Sequence, residues 1–182
     1  MRIIAGKYGG RRLKAFKADH IRPTTDRVKE TLFNIIQASL PGARVLDLYA
    51  GTGSLGLEAL SRGAESVLAV ELNRKSQSII KENVALLKAE NEHSLAGEDV
   101  FKFLKRYEGE SFDVVFIDPP FTKAIAHDSM LALAPCKFLN EDCVIAIESS
   151  KQERIDDNYD GLELLDRKAF GDKSLSLFTK KS

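Results

Sequence analysis

Cysteine and histidine are scarce in this chain, and neither has metal-site spacing. Cys136 and Cys143 are the only cysteines in 182 residues, and they form no CxxC pair. The histidines are His20, His93 and His127, far apart in sequence. No metal is expected, and both cysteines should be buried small hydrophobes in a reducing compartment. Long apolar runs are also missing, which excludes a bilayer-spanning helix and leaves no membrane partner. The opening Met1-Arg2-Ile3-Ile4 passes at once into polar and glycine residues, unlike a signal peptide. These absences predict a cytoplasmic protein.

Charge of either sign shows no excess: 27 Lys/Arg balance 27 Asp/Glu. The balance hides an asymmetry. Residues 1–30 carry nine Lys/Arg against three Asp/Glu, and the rest of the chain offsets that with an acidic surplus. Most of these cations precede Ile21, interleaved with Tyr8, Phe16 and glycines. A basic segment on a mildly acidic body suits a polyanion docking on one side, although a solvated basic face has the same composition.

The length fits one domain, 1–182, with an ordinary hydrophobic content of 43%. Residues 2–5 and 11–16 read as two short strands around Gly6-Lys7-Tyr8-Gly9-Gly10, so residues 1–20 form a basic β-hairpin extension. Residues 21–42 hold a helix, started by Arg22-Pro23-Thr24-Thr25-Asp26, with Val28, Leu32, Ile35, Ile36 and Leu40 as its buried stripe. From residue 43 strands alternate with helices: strands at 45–48, 66–70, 93–96, 112–117 and 143–147, helices at 54–62, 73–88, 100–105 and within 124–134. Two β segments, 162–169 and 174–179, close the chain. The expectation is an α/β, Rossmann-like architecture: a mostly parallel seven-stranded sheet with helices on both faces and an antiparallel edge.

The first central strand runs into Asp47-Leu48-Tyr49-Ala50-Gly51-Thr52-Gly53-Ser54-Leu55-Gly56. Gly51, Gly53 and Gly56 form a GxGxxG that lets backbone turn sharply, approach a ligand and pack helix on strand. Glu71 closes the next strand and can accept ribose hydroxyls. This spacing also fits a nicotinamide dinucleotide. Asp47 argues against that: a carboxylate in the crevice repels a pyrophosphate and attracts a cation. S-adenosylmethionine carries a sulfonium, an ammonium and a ribose. Tyr49, Ala50 and Thr52 in the turn, Leu72 beside Glu71, and Asp99 with Val100 complete the expected cofactor set. Asp99 can accept from an adenine amine while Val100 covers the ring; as a plain alternative, Asp99 caps the helix that follows.

Asp118-Pro119-Pro120-Phe121 ends the fourth strand. Neither proline has an N–H, and Pro120 presses Pro119 toward extended geometry. The loop offers a carboxylate, outward carbonyls and an aromatic face, which suits a planar group bearing an NH2. These residues are the catalytic candidates. The loop cannot distinguish guanine, adenine, cytosine or a side-chain amide, and a DNA adenine-N6 methyltransferase or a non-catalytic binding module remain alternatives.

The chain resembles the RsmD family of bacterial 16S ribosomal RNA guanine-N2 methyltransferases. The resemblance is carried by Arg2-Ile3-Ile4-Ala5-Gly6-Lys7 with Gly10-Arg11, by Arg22-Pro23-Thr24-Thr25-Asp26-Arg27-Val28-Lys29-Glu30-Thr31-Leu32-Phe33-Asn34, by the glycine turn through Ala64, and by the Asp118 loop. It departs at Tyr49, where Phe is common, and at Thr52 and Ser54. It implies S-adenosylmethionine as cofactor, one guanine N2 as acceptor, and 16S rRNA in the assembling or assembled small subunit as partner, with the protein a monomer. It also implies that Lys7, Arg11, Arg12 and Lys14 contact phosphates, and that Arg22, Thr25 and Arg27 hold the substrate or shape its pocket.

Overall fold

The computed structural model describes residues 1–16, 26–120 and 125–181. Five helices and eight strands follow in chain order: α1 (Asp26–Ile35), β1 (Arg44–Leu48), α2 (Ser54–Ser61), β2 (Ser66–Val70), α3 (Arg74–Leu87), β3 (His93–Ala96), α4 (Val100–Arg106), β4 (Phe112–Ile117), α5 (Ala126–Leu133), β5 (Leu139–Ser150), β6 (Asn158–Tyr159), β7 (Leu162–Phe170) and β8 (Lys173–Lys180). The strands form one sheet in the order β3-β2-β1-β4-β5-β8-β7-β6. From β3 to β5 neighbours are parallel, and from β5 to β6 they are antiparallel. The order reverses between β1 and β4, the position where open α/β sheets bind ligands.

The central strands β1, β2 and β4 are short, mostly apolar runs whose successive side chains supply two cores. Val45 packs with Leu57, Leu60, Ile80 and Val84 on the α1–α3 face. Leu46 and Leu48 pack with Val100, Phe103, Met130 and Leu133 on the α4–α5 face. On the first face Phe33 of α1 meets Phe116 of β4 with ring centroids 5.5 Å apart, a pair worth about 0.5–1.5 kcal/mol beyond its buried area. Two of the helices, α3 and α4, start at polar caps. Asn73 accepts from the amides of Lys75 and Ser76 at α3, and Asp99 accepts from Lys102 at α4.

Four expectations change. The sheet has eight strands rather than seven, because the two-residue β6 pairs with the start of β7. Strand β5 extends beyond 143–147 at both ends; its polar, exposed residues 140–142 sit beside a register shift against β4, so no apolar run marks them. The N-terminal hairpin forms an isolated bridge, Arg2 to Arg12, instead of two strands, with backbone hydrogen bonds from Ile3 to Arg11, Gly10 to Ile3 and Leu13 to Met1. The amides of Ile4, Ala5 and Tyr8 turn instead to side chains of α2, as described below. Ile35 is 41% exposed, and the buried face of α1 runs through Val28, Lys29, Leu32 and Phe33.

Candidate active site at the carboxyl ends of β1, β2 and β4

In register, Leu48 lies opposite Val70 on one side and Ile117 on the other. The next residues, Tyr49, Glu71 and Asp118, therefore leave the sheet at one level beside the switch point. Asp118 is half-buried, Pro119 buried and Pro120 exposed. Phe121 lies outside the described residues, as do Arg22 and Thr25.

The glycine turn is fastened from both neighbouring strands. Gly51 and Gly53 have φ of +59° and +77°, and Gly53 N–H donates to the Ala50 carbonyl at 2.7 Å. Gly51 N–H donates to Glu71 Oε2 at 2.8 Å, and Asn73 N–H donates to Glu71 Oε1 at 2.7 Å. Gly56 lies in the first turn of α2, and its N–H donates to Asp47 Oδ2 at 3.0 Å. A Cβ at Gly56 would stand 2.8 Å from Val67 Cγ1 and 3.2 Å from Asp47 Oδ2, so only glycine lets α2 lie this close to β1 and β2. Ala50 and Thr52 are buried within the turn. Tyr49 has φ of +62°, uncommon for a residue with a side chain, and its hydroxyl meets Ser129 Oγ at 2.7 Å.

Asp47 is 1% exposed. Burial pushes its carboxyl up to about 7; Asp118 and Glu71 add repulsion, and the Gly56 amide opposes the rise. Three carboxyl groups therefore share one crevice. A pyrophosphate would meet them unfavourably, whereas a cation would relieve their repulsion. Leu72, 64% exposed, presents an apolar surface beside Glu71. Asp99 caps α4 through Oδ1, leaving its second oxygen for other donors, and Val100 is buried beneath it. The neighbouring Glu98 is held below the usual carboxylate range by its ion pair with Arg106.

The N-terminal cations divide into two groups. Lys7 pairs with Glu92 at 2.6 Å, Lys14 pairs with Glu82, and Arg2 pairs with Asp26 at 3.1 Å. Arg11 and Arg12 are exposed, with no side-chain partner among the described residues, and Arg27 is exposed on α1. Sequence reasoning missed the side chains that dock this segment. Buried Glu58 accepts the Ile4 and Ala5 amides at 2.8 and 3.1 Å and pairs with Lys29 and Arg62 at 3.2 and 2.9 Å. Ser61 accepts from Tyr8 N–H at 2.9 Å and donates to the Ala5 carbonyl. Buried Asn83 holds Lys14. One signal was present: Lys29 shares a helical face with Leu32, Phe33 and Ile36.

The other reactive types are placed elsewhere. Burial pushes the Cys136 and Cys143 thiols up to about 11 and about 12, which makes them poor nucleophiles. A cleft of about 660 Å³ includes Leu104, Tyr107, Cys136 and Phe138, near the start of β4 and away from the glycine turn. Among the described residues no group of His, Cys, Asp and Glu could hold a metal, and no helix is long and apolar enough to cross a membrane.

This site geometry sits on a fold shared with solved structures described as methyltransferases. An Escherichia coli protein assigned as a methyltransferase superposes with a TM-score of 0.88 at 33% identity, covering 100% of this chain and 98% of that one. A more distant methyltransferase structure complexed with SAH shares the fold at a TM-score of 0.66 and 17% identity, over 83% of this chain and 49% of that one. The fold and the crevice define an S-adenosylmethionine-dependent, Rossmann-like methyltransferase. Ribosomal RNA small subunit methyltransferase D of Haemophilus influenzae is 39% identical over 155 residues, 84% of this chain and 80% of that protein. Residues 1–179 match the family described as Conserved hypothetical protein 95, and the chain belongs to that family.

Proposed function

We propose that this protein methylates the exocyclic N2 of one guanine in 16S rRNA of the small ribosomal subunit. The observation that carries the reading is the shared exit level of three loops: the glycine turn after β1, Glu71 after β2 and Asp118 after β4. The similarity to a small-subunit rRNA methyltransferase supports the RNA as substrate class. The protein would act in the cytoplasm as a monomer, on the assembling or assembled subunit.

The residues present fit the cofactor. A Cβ at Gly51 would meet only the Tyr49 carbonyl, at 3.9 Å, so the turn leaves room on that side for a ligand. Each Glu71 oxygen has one backbone donor and retains lone pairs for ribose hydroxyls. Leu72, Asp99 and Val100 would bound the adenine. Asp47, Tyr49, Ala50, Gly51, Thr52, Gly53 and Gly56 would shape the pocket around the amino acid end. When bound, S-adenosylmethionine supplies an electrophilic methyl group on a sulfonium.

The Asp118 loop would act on the acceptor. A guanine amine is a poor nucleophile because its lone pair is delocalised into the ring. The Asp118 carboxylate and the Pro119 carbonyl would accept its two N–H groups, favour a pyramidal nitrogen and stabilise the charge that develops on it. Pro120 keeps the loop rigid, and Phe121 would stack on the extruded base. Most of the rate enhancement would come from positioning.

The test is Asp118→Ala. It should abolish methyl transfer to small-subunit RNA while S-adenosylmethionine binding by calorimetry persists; retained turnover removes the catalytic role. Mass spectrometry of 16S rRNA from cells lacking the protein should show one guanine without its N2 methyl group.

A further inference from the structure

Asn83 lies on α3, outside every residue assigned to cofactor or substrate, and is fully buried. Its side chain makes three hydrogen bonds that span two parts of the chain. Nδ2 donates to the Lys14 carbonyl and to the Thr52 carbonyl, each at 3.0 Å, and Oδ1 accepts from the Lys14 amide at 2.7 Å. Lys14 belongs to the N-terminal extension, and Thr52 lies between Gly51 and Gly53. One amide thus joins the extension to the glycine turn. The opposite end of the extension reaches the same turn: Thr52 Oγ1 donates to Met1 Sδ at 3.0 Å, and Lys29 Nζ donates to the Arg2 carbonyl at 2.7 Å and to Ser54 Oγ at 3.1 Å.

We infer that Asn83 is a positioning residue of the methyl-donor site, and that the docked N-terminal extension is a working part of that site. The physical reason lies in the turn itself. Gly51 and Gly53 impose no side-chain constraint on their backbone, so the conformation around Thr52 must be set from outside. Asn83 fixes the Thr52 carbonyl in the protein interior, where the unpaired group would be costly. The extension holds Asn83 in turn, because two of its three bonds go to Lys14. Its docking is itself specific: at Gly6 (φ +83°) a Cβ would stand 1.8 Å from the Ser61 carbonyl oxygen. A ligand that orders the turn should therefore also tighten the extension, and the coupling is reciprocal.

The inference rests on the donor site alone and is independent of which RNA is methylated. Asn83→Ala, with folding checked by thermal melting, should raise the Kd for S-adenosylmethionine by about tenfold, the equivalent of one net hydrogen bond. At saturating cofactor its kcat should stay within about twofold of wild type, a KM effect. In the wild-type protein, S-adenosylmethionine should slow amide hydrogen exchange at Gly51, Gly53 and also Lys14. A folded Asn83→Ala with unchanged cofactor affinity overturns the proposal. If that variant does not fold, the exchange measurement decides: protection of the turn without protection of Lys14 overturns it equally. Wild-type protein that fails to bind S-adenosylmethionine would instead count against the donor site itself.

Discussion

The Glu71 carboxylate receives the Gly51 amide on one oxygen and the Asn73 amide on the other, at 2.8 and 2.7 Å, so the end of β2 fastens the glycine turn of β1. In the proposed function the same group would accept ribose hydroxyls. Glu71→Ala removes both duties at once and should weaken S-adenosylmethionine binding by at least about a hundredfold, the loss of two charge-assisted hydrogen bonds. Glu71→Gln keeps one carbonyl acceptor and should lose about tenfold. Calorimetric titration of both variants checks the order; equal affinities for wild type and Glu71→Ala would remove Glu71 from the site.

Glu58 is a structural hub. It is fully buried, takes two amides of the extension and faces both Lys29 and Arg62. Burial pulls the Lys29 ammonium below its usual range, and Glu58 opposes that shift. Glu58→Ala leaves a buried cation without its anion and two amides without acceptors. It should cost about 3–5 kcal/mol, or a drop in Tm of roughly 10 °C in a domain of this size. Glu58→Gln keeps an acceptor and should cost less. Thermal melts of the two variants, with proteolysis of the extension as a local probe, measure both effects.

Much of this architecture was legible in the sequence, because the parallel strands are apolar runs bounded by glycine, proline or acids. Residues 66–70 and 112–117 follow that pattern to the residue, and the weaker 93–96, which opens on His93 and Ser94, has the expected bounds as well. The glycine turn was equally legible, since a Gly56 this close to Val67 has one solution. Polar segments behaved differently. Residues 140–142 join β5 through pairing with its neighbours, and β6 exists only as a partner for β7. The docking of the extension left no mark in the sequence for a related reason. Its cations read as ligands for a polyanion, and nothing local shows that Lys7 and Lys14 also pair with Glu92 and Glu82, residues far along the chain. Contacts between distant positions, such as Asn83 with Lys14, leave no periodic trace.

Asp47 and His93 give stability opposite pH slopes. The Asp47 carboxyl is raised by burial to about 7, so the folded state binds the extra proton between about pH 4 and 7; stability falls as pH rises through that window and is level above it. Burial lowers the His93 imidazole to about 4, and its Nε2 is buried without a hydrogen-bond partner among the described residues. The unfolded state then binds the extra proton between about pH 4 and 6.5, so stability rises with pH there. The two slopes oppose each other in the wild type. Asp47→Asn should expose the rising branch and gain most stability at pH 7 and above, by about 2 kcal/mol or more. His93→Leu should expose the falling branch. Urea unfolding of the three proteins from pH 4.5 to 8 tests this; parallel curves for wild type and both variants contradict it.

Arg11 and Arg12 differ from Arg2, Lys7 and Lys14 in being exposed without a side-chain partner among the described residues. Pairing a phosphate with either would break no existing ion pair, whereas Lys7 and Lys14 would first have to leave Glu92 and Glu82. Substrate affinity should therefore depend unevenly on these four positions. Neutralising Arg11 and Arg12 together should reduce the salt dependence of RNA binding by about two phosphate contacts, a change near 1.5 in the slope of log K against log salt. Neutralising Lys7 and Lys14 should change that slope less and lower thermal stability more. Binding of a small-subunit RNA fragment across a salt series, with S-adenosylmethionine affinity as the control for an intact site, separates the pairs. Equal slopes for both double variants would return Arg11 and Arg12 to a solvated face.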